Sequence, residues 1–161
     1  IKAHRIILVS NSEYFGNMLQ GGWKEQHMKL IPIKETRFDT FRMILYYLYS
    51  GKLMDTSLVT LCDVFRQGDM MMLDDLKDLV ARKMKMLIND DTWDEILLLA
   101  WKTKDFQLKN IGLEYAFDNW ERVKKGMGLT RLFETSIVEQ LEELFFVINK
   151  RKEMVKWQIL N

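Results

Sequence analysis

Apolar residues recur at three- and four-residue spacing along most of the chain, which is the spacing of one face of an α-helix. One run follows a polar start at residues 36–39 and stops at Gly51, which tolerates the left-handed backbone that ends many helices. Its apolar face consists of Phe38, Phe41, Ile44, Leu45 and Leu48. Similar runs at residues 58–65, 73–87, 96–100, 108–120 and 141–148 predict a mainly helical chain.

Two short segments depart from this helical spacing. Residues 6–9 are Ile-Ile-Leu-Val, and by propensity alone they predict a buried strand. Residues 30–33 are Leu-Ile-Pro-Ile and predict a second short strand, which Pro32 would confine to an edge because proline donates no hydrogen bond. The first half of the chain is therefore expected to be mixed and the second half helical.

Polar residues and glycines predict where the helices begin and end. The acidic segment 89–91 is the clearest boundary, Gly21-Gly22 predicts a helix end, and residues 126–128 predict a flexible turn. The basic run 150–152 predicts the end of the last helix. Three pairs have the spacing of a capping box: Ser10 with Glu13, Thr92 with Glu95, and Ser136 with Glu139.

Composition narrows the class of protein. The 161 residues include a single proline, which favours a helical chain, and a single cysteine, which excludes an internal disulfide and indicates a reducing compartment. The 24 basic and 23 acidic residues are interspersed, and this balance does not support binding to nucleic acid. No apolar run reaches the roughly 18 residues that would span a membrane.

The sequence offers no obvious catalytic chemistry. His4 and His27 lie far apart, without a cysteine or second histidine at metal-ligand spacing. Cys62 lies on the apolar face of its predicted helix, where a free cysteine behaves as a small hydrophobe. We therefore predict no enzyme, no cofactor and no metal. A hydrolase or transferase whose residues converge from scattered positions stays as a remote alternative.

Several segments together resemble one family. Ala3-His4-Arg5 with Leu8, Ser12, Tyr14 and Phe15 resembles the central signature of BTB/POZ domains, and Tyr49-Ser50-Gly51 resembles the family's Tyr-Thr-Gly. Residues 92–123 resemble the helical pair, called a BACK-like region, that follows the BTB domain in speckle-type POZ proteins. The resemblance implies an α+β, predominantly α fold. In that fold a partial BTB/POZ domain with short strands occupies residues 1–88, and BACK-like helical hairpins occupy residues 89–161.

The resemblance also carries local expectations. Residues 4–10 should form a short helix after a brief strand, and His4 should be mostly buried. Family domains begin with a helix and two strands before the signature, and here the signature starts at Ala3. We expect the chain to be a fragment that lacks this part, through which the family forms its homodimer.

Many BTB proteins are adaptors that bind the scaffold cullin-3 and hold a substrate protein through another domain. Members that bind this cullin carry a hydrophobic-any-Glu triplet after the Tyr-Phe helix, and Trp23-Lys24-Glu25 resembles that triplet. Tyr49 could shape the same surface or pack in the core. The resemblance thus predicts an adaptor of a cullin-3 ubiquitin ligase in the cytoplasm, the nucleus or both, with the substrate bound outside this chain. The alternative is a self-associating scaffold of a transcriptional regulator.

Overall fold

A computed structural model describes residues 1–135 and 138–160, with the side chains of residues 1–135 and 138–151. The chain divides into two units, Ile1–Lys83 and Met84–Asn161. The first unit contains α1 (Arg5–Asn11), α2 (Glu13–Gln20), a 3-10 turn (Lys24–His27), α3 (Phe38–Ser50) and α4 (Leu58–Met70). The boundary falls within α5 (Asp74–Leu87), and α6 (Trp93–Thr103), α7 (Phe106–Asp118), α8 (Trp120–Val123), α9 (Met127–Thr135) and α10 (Val138–Leu160) follow.

The described residues contain helices and no strand, so the α+β class is corrected to an all-helical one. Residues 6–9 lie in α1, as the family resemblance predicted and against their β-propensity. Leu8 is buried where α1 packs on α2 and α3, whereas Ile6 is 71% exposed. The segment does not alternate as a strand would, because tertiary contacts override the weak propensity. The brief strand expected before it is absent, since residues 1–4 are irregular.

The second predicted strand, residues 30–33, is an irregular connection between the 3-10 turn and α3. Pro32 has no N–H for a ladder, and no described segment pairs with this stretch. The end of this connection, at residues 35 and 36, is held instead by hydrogen bonds to α4. The Gln67 side-chain amide donates to the Glu35 carbonyl over 3.2 Å, and the Thr36 hydroxyl donates to the Gln67 side-chain oxygen over 2.9 Å. Glu35 itself adopts a left-handed backbone with φ of 57°.

The first unit has its core along α3 and α4. Four of the five residues assigned to the apolar face of α3 are buried or half-buried. The exception is Phe38, which is 63% exposed because it is the first residue of the helix and its neighbours in the chain are exposed as well. Gly51 ends α3 with φ of 69°, as predicted. The largest fully buried side chains in this unit are Phe15, Ile44, Leu61, Phe65 and Leu76.

The cap of α2 differs from the predicted capping box. Ser10 lies inside α1, and its hydroxyl donates to the Ile6 carbonyl over 2.8 Å. Ser12 is the residue that caps α2, because its extended backbone lets the hydroxyl accept from the Phe15 N–H over 3.4 Å. The prediction was two residues early because α1 runs on to Asn11.

The second unit is built on the helical hairpin of α6 and α7, against which α9 and α10 pack. Ile96, Leu99 and Leu108 are buried, as expected for packing residues. Thr92 occupies the cap position of α6, but its hydroxyl accepts from the Asn89 N–H instead of capping the helix. The buried core consists of Trp93, Leu97, Leu113, Ala116, Val123, Leu132, Leu144 and Ile148.

Two predictions about the second unit were wrong. The turn expected at residues 126–128 stops earlier, because Gly128 lies in α9, a helix that the apolar spacing did not predict. The last helix does not end at the basic run 150–152, since α10 continues to Leu160. The predicted cap at Ser136 lies outside the described residues. The division into domains at residues 88 and 89 stays a prediction, as does the BACK-like nature of residues 89–161.

Candidate protein-interaction site

Trp23 projects from the turn between α2 and the 3-10 helix. Its side chain is 64% exposed, which is unusual for the largest apolar residue type. The chain reaches it through Gly21 and Gly22, and Gly22 has φ of 81°, a backbone region that side chains with a Cβ rarely adopt. The glycine pair therefore turns the chain sharply and presents the indole to solvent.

The turn that follows Trp23 is held by Arg5. One guanidinium nitrogen donates to the Gln26 carbonyl over 2.7 Å, and another donates to the Met28 carbonyl over 2.7 Å. The Gln26 side chain also accepts from the Gly22 N–H over 3.2 Å. Arg5 was noted in the sequence only as part of the family signature. The structure identifies it as the residue that positions the turn.

Lys24 and Glu25 continue the triplet along the 3-10 turn. The Lys24 side chain is exposed, whereas Glu25 is half-buried. Both line a groove that is described below. The Glu25 carbonyl accepts from the Met28 N–H over 3.2 Å, which closes the turn. The triplet thus presents an exposed indole, a cation and a carboxylate on one short, fixed segment.

Tyr49 lies near the C-terminal end of α3 and is 46% exposed. Its phenolic oxygen accepts from the His4 backbone N–H over 2.6 Å and lies 2.9 Å from His4 Nδ1. His4 is exposed, so its expected burial was wrong: its ring is used at the surface to bond Tyr49. Because His4 and Arg5 are adjacent, the start of α1 ties both Tyr49 and the Trp23 turn to one point.

A groove of about 530 Å³ opens beside the turn, and we call it the methionine groove. Lys24 and Glu25 lie at one side of it, and the irregular segment 31–36 lies at another. Met71 is buried at 3% exposure, whereas Met70 is 62% exposed. The four methionines that line the groove are Met18, Met28, Met70 and Met71. The three consecutive methionines at 70–72 are thus divided, since Met70 and Met72 are exposed and Met71 is buried.

Polar pockets lie on another part of the first unit. The larger, of about 600 Å³, is lined by Glu13, Asp74 and Asp75, and all three acids are exposed. Tyr47 also lines it, and burial together with the Asp75 charge raises the pKa of its phenol. Within residues 1–135 and 138–151, no group of three or more His, Cys, Asp or Glu side chains is placed to hold a metal ion. Over the described residues, no helix combines the length and apolar composition that crossing a membrane requires.

Comparison with known proteins identifies the class. Residues 1–87 match the BTB/POZ domain family, so the chain belongs to that family. BTB/POZ domains are typically non-catalytic, and the matched region is a protein–protein interaction module. The site described above lies wholly within the matched residues.

Individual proteins similar to this chain include members named for the same domain. The chain is similar to BTB/POZ domain-containing protein 9 of Drosophila melanogaster, with 27% identity over 146 residues that cover 89% of this chain and 20% of the relative. It is 39% identical to the human protein of the same name over 51 residues, which are 31% of this chain and 8% of the relative. It is also similar to an Arabidopsis thaliana protein named ARM repeat protein interacting with ABF2, with 22% identity over 85% of this chain and 19% of the relative. The chain spans about a fifth of the length of the first relative.

Proposed function

We propose that this chain is the scaffold-binding module of a cullin-3 ubiquitin-ligase adaptor, with Trp23, Lys24, Glu25 and Tyr49 at the interface. The observation that carries the proposal is the exposed Trp23, on a turn that Arg5 holds by hydrogen bonds beside the methionine groove. Tryptophan is among the residue types most enriched where binding energy concentrates. A backbone turn held before binding also loses less conformational entropy when a partner docks.

The neighbouring residues support the same role. Glu25 is half-buried at the side of the methionine groove, where a partner's donor can reach its carboxylate. Methionine side chains are flexible and polarisable, and they adapt to the shape of an apolar partner surface. Tyr49 keeps part of its ring exposed while its hydroxyl is engaged with His4. A substrate protein would bind through a region outside this chain.

The test is the affinity of a cullin-3 N-terminal fragment for the whole chain, measured by isothermal titration calorimetry. We expect Trp23→Ala to weaken binding by a factor of about 30 or more, which corresponds to the loss of about 2 kcal/mol typical of a hot spot. Glu25→Ala should weaken it by about tenfold, since a charged partner loses its hydrogen bond. Arg5→Ala should also weaken it, because the turn loses two anchors.

Phe38→Ala is the matched control. Phe38 is an aromatic residue of the same unit with 63% exposure, against 64% for Trp23, and it does not line the methionine groove. Binding unaffected by Phe38→Ala and weakened by Trp23→Ala would support the proposal. Binding by the unaltered chain no stronger than background would contradict it. Equal affinity in all variants would place the interface elsewhere.

A self-associating scaffold is the alternative function. It is favoured by two large apolar residues, Ile1 and Ile6, that are 64% and 71% exposed on the first unit. Analytical ultracentrifugation separates the two functions: a concentration-dependent dimer that Ile6→Glu disrupts would favour the scaffold. A monomer that binds the cullin fragment would favour the adaptor.

A further inference from the structure

Methionines are concentrated at the groove beside the candidate interface. The chain has eleven methionines, and four of them line the methionine groove. Met70 is the one whose side chain is largely open to solvent, at 62% exposure. It therefore combines two properties: it lines the groove beside the candidate interface, and a dissolved reagent can reach it.

We propose that the methionine groove is a redox-sensitive docking surface, in which peroxide oxidation of Met70 weakens partner binding. This inference rests on the proposed function, because it concerns the regulation of the same surface. Methionine sulfoxide is polar and chiral, whereas methionine is apolar and flexible, so oxidation disrupts methionine-rich interfaces. Cellular reductases reverse the change, which makes it suitable for a switch.

The chemical step is a two-electron oxidation by a hydroperoxide. The Met70 sulfur attacks the outer oxygen of hydrogen peroxide with a lone pair, the S–O bond forms and the O–O bond breaks. The thioether is oxidised to the sulfoxide, and the departing hydroxide takes up the remaining proton to leave as water. No metal, cofactor or protein base is needed, and the exposure of Met70 provides access for the oxidant.

The loss of affinity follows from desolvation. In the free chain, the sulfoxide oxygen of Met70 can remain hydrated because the side chain is exposed. When the apolar surface of a partner covers Met70, that oxygen loses its water and gains no donor from the partner. Two donors of the groove wall are already engaged, since the Thr36 hydroxyl donates to the Gln67 side-chain oxygen and the Gln67 amide donates to the Glu35 carbonyl. An unsatisfied buried acceptor weakens binding by about tenfold or more.

The chain contains a matched control two residues away. Met72 is 57% exposed, close to the exposure of Met70, but it lines the polar pocket of about 600 Å³ and not the methionine groove. Met86 and Met127 are also exposed, at 79% and 67%. Replacing Met70 by leucine keeps an apolar side chain of similar volume and removes the sulfur. Any effect of oxidising the other methionines will persist in that variant.

Three proteins are treated with hydrogen peroxide: the unaltered chain, Met70→Leu and Met72→Leu. Mass spectrometry quantifies each sulfoxide. The affinity for the cullin-3 N-terminal fragment is measured before and after treatment. We expect peroxide to weaken binding about tenfold in the unaltered chain and in Met72→Leu, but not in Met70→Leu. Methionine sulfoxide reductase should restore the affinity. An equal loss in Met70→Leu, or no loss where Met70 is fully oxidised, would overturn the inference.

A second readout separates this inference from the proposed function. The untreated chain is titrated first, and failure to bind the fragment at that stage contradicts the adaptor role alone. The groove is then tested with the apolar dye 8-anilinonaphthalene-1-sulfonate, whose fluorescence rises on apolar surfaces. Oxidation should lower the dye signal in Met72→Leu and leave it unchanged in Met70→Leu. The same change in both variants would contradict a groove switched by Met70.

Discussion

Trp23 and Trp93 are the same residue type in opposite settings, one in each unit of the chain. The side chain of Trp23 is 64% exposed on a turn of the first unit, whereas that of Trp93 is 0% exposed in the core of the second. Trp93 packs among aliphatic residues of several helices. The difference separates a residue that is available to a partner from one that holds its own unit together.

The polar contacts of the two units differ in the same way. Arg5 in the first unit bonds backbone carbonyls and thereby shapes a surface turn. Arg131 in the second bonds the carboxylate of Asp94 with two hydrogen bonds of 2.6 Å, and Asp94 is fully buried. The hydrogen bonds to Asp94 raise the pKa of Arg131. One arginine arranges a surface turn, and the other compensates a charge inside a core.

The largest expected effect on stability is that of Trp93→Ala. Removing a fully buried indole leaves a cavity, and such changes cost about 3–5 kcal/mol of unfolding free energy. Hydrogen exchange measured by mass spectrometry should show lost protection in peptides of α6 and α7. Trp93→Phe is the control and should cost less, because Trp93 Nε1 has no hydrogen-bond partner among the described residues. Protection unchanged in Trp93→Ala would contradict the assigned core.

Arg131→Met should be the next most damaging change. It leaves the Asp94 carboxylate buried without its charged partner, which we expect to cost about 2–3 kcal/mol, less than for a fully buried pair because Arg131 is 40% exposed. Urea unfolding followed by circular dichroism measures the loss. The double variant with Asp94→Asn should recover part of it, since the buried charge is then removed. A double variant no more stable than Arg131→Met would argue against the ion pair.

Gly128→Ala tests how closely α9 approaches α6. A Cβ atom at this position would lie 2.7 Å from Trp93 Nε1 and 2.9 Å from Asp94 Oδ1, and both neighbours are buried. We expect a loss of about 1–3 kcal/mol from overpacking, measured as a lower unfolding free energy.

Gly16→Ala is the matched control for that change. Gly16 lies inside α2, where the nearest neighbour of an added Cβ would be the Val9 carbonyl oxygen at 3.9 Å. The substitution should stabilise the chain by about 0.5–1 kcal/mol, because alanine favours a helix over glycine. Changes of the same sign in the unfolding free energy at Gly16 and Gly128 would contradict the close approach of α9 to α6.

Trp23→Ala should have the smallest effect on stability. Surface substitutions without buried partners usually change the unfolding free energy by about 0.5 kcal/mol or less. A thermal midpoint close to that of the unaltered chain is therefore expected, together with the loss of cullin-fragment binding. A destabilisation as large as that of Trp93→Ala would show that Trp23 is a packing residue, and the comparison between the two tryptophans would fail.

The candidate site was predicted in part. The Trp23-Lys24-Glu25 triplet and Tyr49 were selected by resemblance, and the structure places the triplet on one turn and Tyr49 at the end of α3. No local pattern indicates that His4 and Arg5 connect them, because these contacts are distant in the chain: Arg5 bonds Gln26 and Met28, and His4 bonds Tyr49. Nor did it reveal the methionine groove, whose four methionines are spread from residue 18 to residue 71.

What the sequence by itself determined is local or carried by an ordered set of motifs: the helical spacing, the end of α3 at Gly51, and membership of the BTB/POZ family. Only the tertiary structure decided that Trp23 is exposed and Trp93 buried, and that Gly128 lies inside a helix against Asp94. The physical reason is range. Helical periodicity is set by neighbours three and four residues apart, whereas burial and charge pairing depend on groups such as Asp94 and Arg131, which are 37 residues apart in the chain.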